Sequence, residues 1–92
     1  MKVEVTYVGQ VRAAAGTSIE TVELDDSATV AACATQLADR HGEEFGRLLL
    51  DDEGVLRPSI LVFLADEQIQ DAASTTLADG NVLTFLTPLA GG

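Results

Sequence analysis

Val82-Leu83-Thr84-Phe85-Leu86 restricts the folds open to this chain more than any other segment. It reads as a strand, and it is apolar enough at both parities to lie in the middle of a sheet rather than at an edge. The opening segment, Lys2-Val3-Glu4-Val5-Thr6-Tyr7-Val8, alternates and is rich in β-branched residues, which predicts a first strand. One main amphipathic helix stands between them. A single helix crossing one face, with a central last strand, predicts a mixed sheet in which the first and last strands pair in parallel. The other face is then a candidate docking surface, carrying alternate residues of 60–64 and 82–87.

The intervening segments complete the order. Gly9 to Ser18 reads as a loop in which Ala13-Ala14-Ala15 makes at most one helical turn, and Ile19 to Leu24 as a second strand, hairpinned with the first. Asp25-Asp26-Ser27-Ala28-Thr29 starts a helix: Ser27 or Thr29 can cap its free N–H groups, and the two Asp sit near the positive end of the dipole. Val30, Ala34, Leu37 and His41, with Cys33 and Ala38 beside them, form one apolar stripe at helical spacing. Arg40-His41-Gly42 reads as the helix exit, with Gly42 in the left-handed position. Glu43 to Leu50 predicts a second short helix with Phe45, Leu48 and Leu49 inward. Asp51 to Gly54 is a turn, and Ile60-Leu61-Val62-Phe63-Leu64 is a strand apolar throughout. Asp66-Glu67 turns into a short segment at Gln68 to Gln70, and Leu77-Ala78-Asp79-Gly80 is a tight turn before the last strand. The expected class is α+β: a mixed four- to five-stranded sheet with one main helix packed on one face. Residues 1–87 make the domain, and residues 88–92 a flexible tail.

Composition enters through what it excludes. Ninety-two residues, 47% of them hydrophobic, suffice for one self-standing domain. Cys33 is the single cysteine, so no internal disulfide forms, which fits a reducing cytoplasm. Met1-Lys2 leads straight into the alternating strand, with no secretory leader visible, and no apolar run approaches the roughly 20 residues that span a bilayer. The net charge of −10 argues against nucleic acid or an anionic membrane as a direct partner.

The side chains offer little catalysis. His41 stands alone at a helix end, where a packing role suffices, and Cys33 falls on the apolar stripe as a buried thiol. No Cys/His set has zinc spacing, no P-loop or dinucleotide fingerprint is present, and no stretch matches a calcium loop. The acidic pairs Asp25-Asp26, Glu43-Glu44 and Asp51-Asp52 flank elements and read as caps and solvated turns. The chain is therefore not expected to be an enzyme.

The end of the sequence differs. Pro88 stiffens the exit from the last strand, and Leu89-Ala90-Gly91-Gly92 follows. A terminal Gly has no Cβ to crowd its carbonyl carbon and can thread a narrow slot. Adenylation by ATP would turn the Gly92 carboxylate into an anhydride with AMP as leaving group, and a sulfur nucleophile could then leave a thiocarboxylate. In that scheme the chain is substrate and carrier, and its partners hold the catalytic groups. The same tail would serve a protein modifier forming isopeptide bonds, although Lys2 alone could accept a self-linkage. It would also fit a plain interaction domain with an inert end.

With these residues in view, the chain resembles the β-grasp sulfur-carrier family, which includes the molybdopterin synthase small subunit and the thiamine-pathway carrier. The resemblance spans essentially the whole length. It rests on Gln10-Val11-Arg12 followed by Gly16-Thr17, on Leu77-Ala78-Asp79-Gly80, and on Phe85-Leu86-Thr87-Pro88-Leu89-Ala90-Gly91-Gly92. It implies a ubiquitin-like β-grasp fold and a Gly92 carboxyl that an enzyme of the ubiquitin-activating type adenylates at the expense of ATP. It also implies a thiocarboxylate that donates sulfur to a cytoplasmic biosynthetic enzyme such as the molybdopterin synthase large subunit. Related carriers serve thiamine, cysteine and tRNA thiolation. Phe85, Leu86 and Phe63 are the expected partner-binding residues. One departure stands out: Thr87 occupies a position where the molybdopterin-type subunit usually has the first of two prolines.

Overall fold

Val3, Val5 and Tyr7 point to one side of β1 (Lys2–Val8) and are buried, while Lys2, Glu4 and Val8 are exposed on the other. That alternation gives the sheet one covered face and one open face. The computed structural model describes residues 1–88. β2 (Ile19–Glu23) runs antiparallel to β1, with Val22 opposite Val3 and Glu20 opposite Val5. β5 (Val82–Leu86) lies parallel to the other side of β1, pairing Tyr7 with Phe85 and Val8 with Leu86. β3 (Leu61–Leu64) is antiparallel to β5, and the two-residue β4 (Glu67–Gln68) closes the edge. The order β2-β1-β5-β3-β4 places the last strand in the centre, and the first and last strands pair in parallel as the sequence predicts.

Three helices lie on the covered face. α2 (Val30–His41) buries Val30, Cys33, Ala34 and Leu37. Its start is capped by Thr29, whose hydroxyl accepts from the Ala32 N–H at 3.1 Å. Asp25 and Asp26 lie in the preceding turn and outside the first turn of the helix. α3 (Glu43–Leu49) follows with one residue between, burying Phe45 and Leu49 and leaving Leu48 half-buried. The joint is Gly42, whose φ of 94° is positive as expected but whose ψ of −172° is extended rather than left-handed helical. This turns the chain sharply enough to bring Phe45 under Tyr7, the two rings meeting edge to face at 5.4 Å.

Two segments depart from the sequence reading. Gln10–Ala15 forms a helix, α1, where a loop with a single turn is expected. Tertiary contact stabilises it, because Val11 is fully buried. The short segment expected at Gln68 to Gln70 is β4, shifted to Glu67–Gln68 behind a turn at Ala65-Asp66.

Phe85 requires a correction. It is wholly buried on the covered side, its ring stacked 6.5 Å from that of Tyr7, and so it is not on the docking face. Its parity matches that of Leu83, and its parallel partner Tyr7 points into the core. Among the described residues, no helix is long and apolar enough to cross a membrane.

Candidate functional site

Two features meet where β5 ends: the open sheet face and the root of the tail. On the open face the pairing aligns Val8, Leu86 and Leu61 in one row and Thr6, Thr84 and Phe63 in the next. Val8 is 42% exposed, and Leu61, Phe63 and Leu86 are half-buried, with no helix above them. This apolar cluster, on a strongly acidic chain, is the candidate docking surface. Of the expected docking residues, Phe63 and Leu86 belong to it and Phe85 does not. Val8 and Leu61 join it: alternation along β1 marks Val8 as outward, whereas Leu61, in a strand apolar throughout, is placed there by its pairing with Leu86.

The tail root is built from Thr87 and its neighbours. The Thr87 backbone N–H donates to the Val8 carbonyl at 3.0 Å, extending the β1–β5 pairing by one residue. The Thr87 hydroxyl donates to the same carbonyl at 3.2 Å and accepts from the Val11 N–H at 3.3 Å. The next residue, Pro88, is exposed. Beside it lies a shallow groove of about 260 Å³ lined by Gln10, Arg47, Leu48, Arg57 and Ile60. Arg57 Nε donates to the Arg47 carbonyl at 2.7 Å. The expected tail residues Leu89, Ala90, Gly91 and Gly92 lie outside the described residues.

A polar cluster sits at the far edge of the covered face. The Tyr7 hydroxyl donates to Glu20 at 2.5 Å, His41 Nε2 contacts the same carboxylate oxygen, and Arg40 pairs with the other oxygen at 3.0 Å. Burial pushes the Tyr7 hydroxyl well above its ordinary value, and the hydrogen bond to Glu20 adds to that. For Glu20, burial acts upward, but the hydrogen bonds from Tyr7 and His41 and the neighbouring positive charges outweigh it and hold the carboxyl down. His41 is therefore more than a packing residue: it ties the end of α2 to the edge strand. Cys33 is buried as expected, and burial, followed by the charge of Glu20, pushes its thiol up to about 12, where it is inert as a nucleophile. Among the described residues no three His, Cys, Asp or Glu side chains converge as metal ligands.

The sequence profile of the ThiS family matches residues 5–92. No curated protein sequence matches the chain significantly. Among solved structures, SAMP1 from Haloferax volcanii superposes with a TM-score of 0.88 at 24% identity, covering 100% of both chains. Urm1 from Trypanosoma brucei gives 0.80 at 23% identity over 99% of this chain and 95% of that one. A putative molybdopterin converting factor subunit 1 from Pyrococcus furiosus gives 0.77 at 25% identity over 97% and 99%. These likenesses establish the ubiquitin-like β-grasp fold.

Proposed function

The chain belongs to the ThiS family of β-grasp sulfur carriers, and from that premise we propose that its working group is the Gly92 carboxyl. The family consists of small ubiquitin-like carriers that are not themselves catalysts. In the proposed cycle a carboxylate oxygen of Gly92 attacks the α-phosphorus of ATP on an adenylating partner, and pyrophosphate leaves. A nucleophile carrying sulfur at the sulfide level then adds to the carbonyl carbon and expels AMP, which leaves a thiocarboxylate. Attack of that sulfur on an electrophilic carbon of an acceptor, displacing that carbon's leaving group, gives an acyl–sulfur link, and its hydrolysis delivers the sulfur and restores the carboxylate.

The observation that carries this reading is the family match running through Gly91-Gly92, together with a central strand that brings the chain to the surface at Pro88. The open face with Leu61, Phe63 and Leu86 is the surface we assign to the larger partner. The acceptor we assign is a molybdopterin synthase large subunit. Support comes from Gln10-Val11-Arg12 with Gly16-Thr17 and from the likeness to the Pyrococcus furiosus protein.

Intact mass after co-expression with an adenylating enzyme and a sulfur donor tests the reading. The expected change is the replacement of one oxygen by sulfur at Gly92, lost when Gly92 is deleted. Covalent conjugates to lysines of other proteins, without the sulfur adduct, would replace this reading with that of a protein modifier. An unchanged mass would leave a plain interaction domain.

A further inference from the structure

We propose that Thr87 and Gly9 form a positioning lock for the tail, setting both the direction in which the chain leaves the sheet and the point from which its reach is measured. The proposal rests on the reading that Gly92 is the reacting end. Thr87 is the one buried polar residue among the described residues, at 8% exposure, and it stands a single position before the exposed Pro88. A buried hydroxyl is stable only when its hydrogen bonds are made. This one donates to Val8 and accepts from Val11, while the Thr87 N–H donates to Val8 as well.

The Val11 N–H belongs to the first turn of α1, where no carbonyl within the helix can reach it. Gly9 precedes α1 and has no side chain to cap it. Thr87 supplies the missing acceptor from the opposite end of the chain. Gly9 in turn makes room for it. Its φ is 87°, and a Cβ there would collide with both the carbonyl oxygen and the hydroxyl of Thr87. Each residue therefore requires the other: Gly9 admits the Thr87 backbone, and Thr87 completes the turn that Gly9 begins. A proline at 87, as the family resemblance leads one to expect, could supply neither the N–H nor the hydroxyl.

The consequence concerns reach. From Pro88, four extended residues span at most about 14 Å to Gly92. Releasing Thr87 would end the pairing at Leu86 and add roughly 3.5 Å of slack. It would also free the direction of exit. Reacting atoms must arrive within about an ångström of their aligned position, so slack of that size lowers the fraction of docked complexes that react. It leaves docking itself, made by the sheet face, unchanged.

The test compares wild type, Thr87→Val and Thr87→Ser in ATP-dependent adenylation by an enzyme that charges the wild-type chain. Amide hydrogen exchange of Val11, Thr87 and Phe85 is read by NMR. Thr87→Val is expected to lower kcat by about tenfold, with KM for the carrier unchanged within about twofold. It should release Val11 to fast exchange while Phe85 stays protected. Thr87→Ser should restore both readouts. An unchanged kcat in a Thr87→Val variant with Phe85 protected would overturn the lock, as would a loss expressed wholly in KM. A wild-type chain that is never adenylated, with Val11 and Thr87 protected, would refute the Gly92 reading and the positioning role with it, leaving only a structural contact.

Discussion

Phe85 and Leu86 are neighbours on the central strand and face different surroundings. Phe85 is wholly buried against Tyr7 beneath the helices, while Leu86 is half-buried between Val8 and Leu61 on the face that no helix covers. Both are apolar, and both lie in the segment that fixes the topology. The difference is that Phe85 has exchanged its water for packed neighbours, whereas Leu86 still borders solvent and has burial left to gain from a partner. Apolar character in a strand therefore marks either a core position or one on the open face, and only the register of the sheet separates them.

The sharpest way to break that contrast is Phe85→Ala. Truncating a fully buried Phe removes its transfer energy and leaves a cavity beside Tyr7, so a loss of about 3–5 kcal/mol is expected in urea unfolding. Against the roughly 5–15 kcal/mol that holds a small domain together, that is enough to populate unfolded chain. A loss below about 1 kcal/mol would mean that the covered face is not the folding core.

The same contrast explains what the sequence could and could not show. The α2 stripe and the parallel β1–β5 pairing were legible because Val30, Ala34 and Leu37 repeat at helical spacing, the first segment alternates, and the last is apolar enough to lie centrally. The orientation of Phe85 was not, because Val82, Leu83, Phe85 and Leu86 give both parities an apolar reading. Only the pairing with Tyr7 decides it. α1 was missed because Gly9 offers no capping side chain; its cap comes from Thr87, at the other end of the sequence. The Glu20–His41 contact joins residues 21 apart. One signal was there to be used: Glu20 shares the parity of Val22 and Leu24, both buried, so it faces the helices.

That inward carboxylate gives a second test of the covered face, of intermediate size. The other strand carboxylates, Glu4, Glu23 and Glu67, are exposed, and Glu20 is not. Its folded pKa is held below the unfolded value of about 4.3. Folded protein therefore binds fewer protons than unfolded chain in that range, and stability rises with pH through it. The contribution is complete above the unfolded pKa and is lost as pH falls through the folded one. Glu20→Gln should cost about 1–3 kcal/mol near pH 7, where charge-assisted bonds to Arg40 and His41 disappear. The wild-type and Glu20→Gln stabilities should converge as pH falls below the folded pKa of Glu20. Unfolding curves separated by a constant offset across that range would show that the carboxylate charge plays no part in clamping α2 to β2.

The smallest effect on stability belongs to the open face, and it is the more telling for being small. Phe63 is half-buried, paired across strands with Thr84 on one side and Gln68 on the other, and no helix packs over it. Phe63→Ser removes partly hydrated surface without emptying an enclosed space, so the loss should stay near or below about 1 kcal/mol. If this face docks a larger partner, the same substitution lies at the apolar centre of the interface, where truncating an aromatic costs about 2 kcal/mol or more of binding. Titration of the folded variant against a partner that binds the wild type, set beside its urea curve, reads both quantities. A ratio that favours binding over folding identifies Phe63 as an interface residue. The opposite ratio, a Phe63→Ser loss matching that of Phe85→Ala with binding intact, would assign both faces of the sheet to the core and leave the tail without a body surface to dock it.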